Sequence, residues 1–226
     1  MDITQEERDA VYKTIYTRRD TRSEFLDEEI DDEVIKRLLD AAHHSPSVGF
    51  MQPWDFIVIK DKKIRQDIKD GFETANKEAS LLFKGEKQKQ YKKLKLEGIT
   101  DAPIGICITC DRSRRGDVVL GRTTNKEMDL YSCVCAVQTL WLAARAENLG
   151  LGWVSIIHNE TLKDILEIPS NIDVIAYLCI GKVSYLHDQP ELEEKGWLKR
   201  MPLEEVVHYD KWSNKNNTRP INKKQV

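Results

Sequence analysis

Apolar residues recur at helical spacing in Val34, Ile35, Leu38, Leu39, Ala41 and Ala42, behind two aspartates, Asp31 and Asp32, either of which can cap the helix start. Pro46 lies just past the expected end. Residues 4–17 read as an earlier helix, and a charged helix is predicted over about 62–79. Four apolar runs break this rhythm and read as strands: 56–59, 102–109, 153–157 and 174–180, the last wholly apolar and so buried on both faces. A helix over about 128–148 is apolar on most of its circumference, as expected at the centre of a core or of a dimer interface. It is predicted to end at the turn Gly150-Leu151-Gly152, and a short helix over 162–166 stops before Pro169. The lysine-rich stretch 81–98 has helical propensity and reads as a peripheral helix, with a mobile cover over a site as the alternative. Helices around a small central sheet make the chain α+β. One domain is expected over residues 1–212, followed by a polar tail, 213–226, either disordered or lying on a partner subunit.

Composition narrows the functional classes. The 35 basic and 38 acidic side chains nearly cancel, so no overall field favours nucleic acid or an anionic membrane, and any anion site must be local. The apolar helix carries Asp129, Gln138, Arg145 and Glu147, which would be costly in hydrocarbon, so no stretch reads as transmembrane. Five cysteines, an odd number, with no apolar leader, point to a reduced cytoplasmic compartment. Cys107 and Cys110 form C-x-x-C in a strand, where alternation sends them to opposite faces, so a shared metal is not expected. Cys133 and Cys135 read as helix packing residues. The five histidines show no metal-ligand spacing, and His43 and His44 close a helix where the dipole favours a cation.

Two segments carry candidate chemistry. Arg18-Arg19-Asp20-Thr21-Arg22 gathers three guanidinium groups around one carboxylate, suited to an anionic ligand beside a proton-transfer site. Arg18 and Arg22, four apart, would share one side of a helical turn. The stretch from Ser45 to Trp54 places small residues and a turn-forming glycine between an amphipathic helix and an apolar strand, where a flat ligand can lie. Together these segments resemble the flavin-binding signature of the nitroreductase-like flavoproteins. Leu120-Gly121-Arg122-Thr123-Thr124, the run Asp129-Leu130-Tyr131-Ser132 with Gln138 and Trp141, Gly150 to Ile156, and Arg200-Met201-Pro202-Leu203-Glu204-Glu205 are similar to one branch of that superfamily, the 5,6-dimethylbenzimidazole synthases. The resemblance covers roughly residues 12–212.

It implies a nitroreductase-like fold with a central mixed sheet flanked by helices, an intertwined homodimer, and FMN bound in reduced form as a substrate. With O2 as co-substrate, the ring becomes 5,6-dimethylbenzimidazole, the lower ligand of cobalamin, and the ribityl chain yields erythrose 4-phosphate. It assigns phosphate and pyrimidine contacts to Arg18, Arg19 and Arg22, and the last phosphate contact to Arg200. Ser45, Pro46, Ser47, Gly49 and Gln52 would wrap the ring and ribityl chain, while Gly152, Trp153 and Val154 would face the reacting ring edge. Asp20 stands where typical nitroreductases have Ser, and is implied as general acid/base; Ser155 is implied to orient groups near the ring. Gly49 or Phe50 stands where nitroreductases often carry Asn. No G-x-G-x-x-G occurs, so a separate flavin reductase is expected to supply reduced FMN. Two alternatives remain at this point: an NAD(P)H-dependent FMN nitroreductase or reductive dehalogenase, and a non-enzymatic flavin-storage protein.

Overall fold

The computed structural model describes residues 2–212, so the expected tail, 213–226, lies outside the described residues. Helix α1 (Gln5–Thr17) starts in a capping box, the Thr4 hydroxyl accepting from the Glu7 amide and the Glu7 carboxylate accepting from the Thr4 amide. None of its residues is buried in this chain. Helix α2 (Asp32–His43) is capped by Asp31 and turns Ile35, Leu38 and Ala42 inward. Strand β1 (Trp54–Ile59) leads into α3 (Lys62–Leu82), capped by Asp61. Then come α4 (Gly85–Tyr91), β2 (Ile104–Cys110), α5 (Met128–Ala146), β3 (Gly150–Val154), α6 (Asn159–Leu166), β4 (Asp173–Gly181) and α7 (Glu191–Glu194).

The strands form a sheet in the order β1-β2-β4-β3, antiparallel at every named pairing. The sheet is therefore antiparallel rather than the mixed one expected, and the parallel pairing of Asp20 with Leu151 is an isolated bridge outside its strands. One sheet face packs Ile106 and Ile108 of β2 and Leu178 of β4 against Leu38 of α2 and Val137 and Leu140 of α5. The other packs Cys107, Tyr177 and Cys179 against Ile68 and Phe72 of α3 and Leu162 of α6. Strand alternation therefore separates Cys107 from Cys110, as the sequence predicts, and all five cysteines are free. Burial pushes the Cys107 thiol up to about 12, leaving it an inert packing group. Cys135 differs from expectation, being exposed where Cys133 is buried.

Three boundaries depart from the sequence reading. The turn after α5 is made by Asn148 at φ 58°, while Gly150-Leu151-Gly152 lie inside β3 and pair with Gly181, Ile180 and Cys179. The strand expected at 153–157 therefore begins three residues earlier. In the stretch 81–98, α3 runs on to Leu82 and only Gly85–Tyr91 forms a further helix. That helix is anchored by stacking of Phe83 on Tyr91, with Trp197 edge-on to both, and by Lys87 over the Trp197 ring. Finally, 18–22 is not helical: Arg18 ends α1 in extended geometry and the chain then pairs with β3.

Candidate functional site

Residues 20–26 run along the outer edge of β3 and the end of β4, tied by Thr21 N to Leu151 O at 3.0 Å and Leu26 N to Lys182 O at 2.9 Å. Gly152 makes this approach possible. An ideal Cβ there would stand 2.0 Å from Thr21 O, backbone that cannot move aside, and 3.6 Å from Asp20 Oδ1. The result is a fixed carboxylate: Asp20 Oδ1 accepts from the Trp153 amide at 3.0 Å, and Oδ2 from Arg22 Nη2 at 2.6 Å. Both bonds are charge-assisted, and one comes from backbone, so the carboxylate has little rotational freedom.

Asp20 borders a cavity of about 210 Å3 lined by Arg18, Arg19, Arg22, Pro190, Glu191, Leu192 and Arg200. Arg18 lies 4.7 Å over the Trp141 ring, whose indole N–H donates to Arg19 O at 3.1 Å. Burial, with Arg19 and Arg200 nearby, lowers the Arg18 guanidinium from its ordinary value against the opposing pull of Asp20. Arg19 donates to Tyr16 O, Arg18 O and Asp188 O. Its Nε and the Thr21 hydroxyl are buried without a partner. Four guanidinium groups facing two carboxylates, with an orphaned donor among them, fit the phosphate end of a flavin mononucleotide. At about 210 Å3 the cavity is smaller than the roughly 300–1,000 Å3 typical of sites that bury a whole ligand.

The Ser45–Gln52 loop sits elsewhere, fastened to α5. Ser45 Oγ donates to Thr139 Oγ1 at 2.7 Å, and Val48 N donates to Ser132 Oγ at 3.2 Å. Ser47 Oγ accepts from Gln52 N at 3.1 Å. Gly49 (φ 59°) begins a left-handed run, and its ideal Cβ would stand 2.6 Å from both Leu120 O and Val119 Cγ1. Close packing of the 119–120 backbone is thus a reason for glycine here besides any flavin contact. Pro46 and Gly49 are exposed and Gln52 is half-buried. Ser155 is exposed immediately after β3 and does not line the arginine cavity. The structure therefore joins Arg18, Arg19, Asp20, Arg22 and Arg200 at one cavity, with Trp153 touching Asp20 through its amide, and leaves the ring-loop residues and Ser155 apart from it.

Sequence reasoning missed the far wall. Glu191 pairs with Arg22 at 3.4 Å. His187 bridges buried Glu24 at 3.0 Å and Glu194 at 2.7 Å, which holds the 187–194 wall against the 20–26 segment. Burial alone would raise the Glu24 carboxyl, but hydrogen bonds from Ser23, His187 and the Arg22 and Ser23 amides outweigh it and hold it down at about 2. Burial opposes the His187 imidazolium, yet its two carboxylates raise it above the ordinary 6.5. That contribution is complete below the ordinary imidazole value and is lost as pH rises through the raised one. Thermal melts are accordingly expected to show stability falling as pH rises above the ordinary imidazole value, with the slope flattened in His187→Gln. At the end of α2 the His43 Nδ1 accepts from the Trp54 indole N–H at 3.1 Å, which ties the helix to the start of β1.

The model of the nitroreductase family matches residues 15–182. The chain is 42% identical, over 86% of its length and 92% of the relative's, to the 5,6-dimethylbenzimidazole synthase of Rhodospirillum rubrum. It is 36% identical to that of Rhodobacter capsulatus, over 90% of this chain and 98% of the other. The solved structure of iodotyrosine deiodinase bound to FMN and 3-iodo-L-tyrosine shares the fold, with TM-score 0.71, 19% identity, and coverage of 89% of this chain and all, 100%, of the other.

Proposed function

The chain belongs to the nitroreductase family, and we propose that its reaction is the synthesis of 5,6-dimethylbenzimidazole from reduced FMN and O2. The observation that carries this reading is the 42% identity spanning 92% of a curated synthase, and the placement of Asp20 supports it locally. When bound, reduced FMN supplies both the ring carbons of the product and the electrons that O2 takes.

This chain's residues divide the remaining work. Arg18, Arg22 and Arg200 hold the phosphate, and Arg19 fixes the cavity floor through its backbone contacts. Ser45, Pro46, Ser47, Gly49 and Gln52 form the loop that would receive the ring and ribityl chain, with Gly152, Trp153 and Val154 toward the ring edge. Asp20, pinned by the Trp153 amide and Arg22, links the phosphate cavity to that edge. It holds and moves the proton that carbon–carbon cleavage requires, and hydride transfer alone would have no use for it. Ser155, exposed beyond β3, orients groups at the ring edge.

A second copy of the chain completes the ring's enclosure. The cavity, at about 210 Å3, has room for the phosphate end alone, α1 presents Val11, Tyr12, Ile15 and Tyr16 to solvent, and α5 presents Tyr131 and Val134. Among the described residues no helix is long and apolar enough to cross a membrane. A cytoplasmic homodimer fed by a separate flavin reductase accords with the free cysteines and the lack of a dinucleotide fingerprint.

Arg200→Ala is expected to weaken FMN about 10- to 100-fold, the cost of one charge-assisted bond, and to leave riboflavin binding unchanged, both read by quenching of flavin fluorescence. NADH or NADPH oxidation by the FMN-loaded protein, with a nitroaromatic acceptor, is expected to stay at the rate of free FMN. Sustained turnover well above that rate would move the reading to a reductase.

A further inference from the structure

The arginine cavity contains a group that an anion site would not be expected to keep. Glu191, in the first turn of α7, lines it with a side chain only 9% exposed, its Oε2 3.4 Å from Arg22 Nη1. Arg22, itself 11% exposed, is already neutralised by the shorter bond to Asp20 at 2.6 Å. Nor does α7 depend on Glu191 for its place. His187 holds Glu194, Glu194 N donates to Pro190 O at 3.1 Å, and Trp197 N donates to Leu192 O at 2.8 Å. Among the described residues the side chains of Arg18, Arg19 and Arg200 make no close ion pair, so cavity cations remain available while one is doubly countered. A buried carboxylate facing a bound phosphate costs binding energy, because like charges in a poorly solvated site repel.

We propose that Glu191 sets how firmly the cavity holds a phosphate monoester, weakening the grip so that the phosphate-bearing product leaves. The inference rests on the cavity being the phosphate end of the flavin site. A retained cofactor gains from the tightest available cradle. A flavin consumed at each turnover does not, since the fragment left behind carries the same phosphate and must depart before the next substrate binds. Glu191 serves as the internal counterion that takes Arg22 back when the phosphate goes.

The test compares wild type, Glu191→Gln and Glu191→Ala with Glu160→Gln, which removes one charge from an exposed position on α6. Dissociation constants for oxidised FMN and riboflavin are read by flavin fluorescence, with inorganic phosphate as competitor, and KM and kcat are measured for reduced FMN in air. Both Glu191 variants are expected to bind FMN about 3- to 10-fold tighter, the effect of removing one partly screened like charge. Phosphate should compete better in the same ratio, KM and kcat should fall together, and riboflavin affinity and the Glu160 variant should be unchanged. Unchanged or weaker FMN binding, or equal tightening of riboflavin, overturns the role of Glu191. Wild-type protein that binds FMN no better than riboflavin would instead overturn the phosphate assignment, and the proposal with it.

Discussion

Asp20→Asn is expected to lower benzimidazole formation about 10²- to 10⁴-fold, the usual worth of a positioned general acid/base, while FMN still binds. Asparagine has the same shape, and its amide oxygen still accepts from the Trp153 N–H that Asp20 uses at 3.0 Å. Its nitrogen then faces Arg22, which loses the 2.6 Å partner but keeps Glu191. The fold is therefore retained, and because one negative charge leaves the rim of the cavity, FMN affinity should match or exceed that of wild type. Product analysis by mass spectrometry, alongside FMN titration and a thermal melt, separates chemistry from binding and folding. Near-normal product from the variant would show that Asp20 only positions Arg22.

Gly152→Val should be the most damaging single change in the scaffold around the site. A Cβ at that position falls 2.0 Å from Thr21 O, so the 20–21 segment must leave the β3 edge. It would take with it the Thr21–Leu151 hydrogen bond and the seat of the Asp20 carboxylate. Overpacking against side chains costs about 1–3 kcal/mol, and backbone that cannot repack places this variant at the upper end or beyond. At about 2–4 °C of melting temperature per kcal/mol for a chain of this size, the loss is readily seen by calorimetry. Product formation should fall as far as in Asp20→Asn. A stable variant with normal turnover would mean that the Asp20–Thr21 segment does not need its place on β3.

Local signals made much of this fold legible. The cap of α2 was read as Asp31 or Asp32 and is Asp31; Thr4 and Asp61, not singled out in the sequence, cap α1 and α3 in the same way. Alternation in β2 sent Cys107 and Cys110 to opposite cores. The start of β3 was hidden because its glycines resemble a turn; the close passage of residues 20–21 explains Gly152, and Val183 together with Thr21 explains Gly150. That passage joins positions some 130 residues apart, beyond the reach of any periodicity. The arginines and Asp20 were singled out by composition and by resemblance, and the structure places them at one cavity. Glu191, Glu24 and His187 were not, because scattered charged side chains carry no spacing that separates a buried network from a solvated surface.

In the proposed reaction reduced FMN is consumed rather than recycled. Photoreduced FMN mixed with the purified protein and exposed to air, without NADH or NADPH, provides the most direct measurement, following flavin absorbance while products are identified by mass spectrometry. Irreversible loss of the flavin spectrum, matched by 5,6-dimethylbenzimidazole, is the expected result. Quantitative return of oxidised FMN, with peroxide as the only other product, would contradict it.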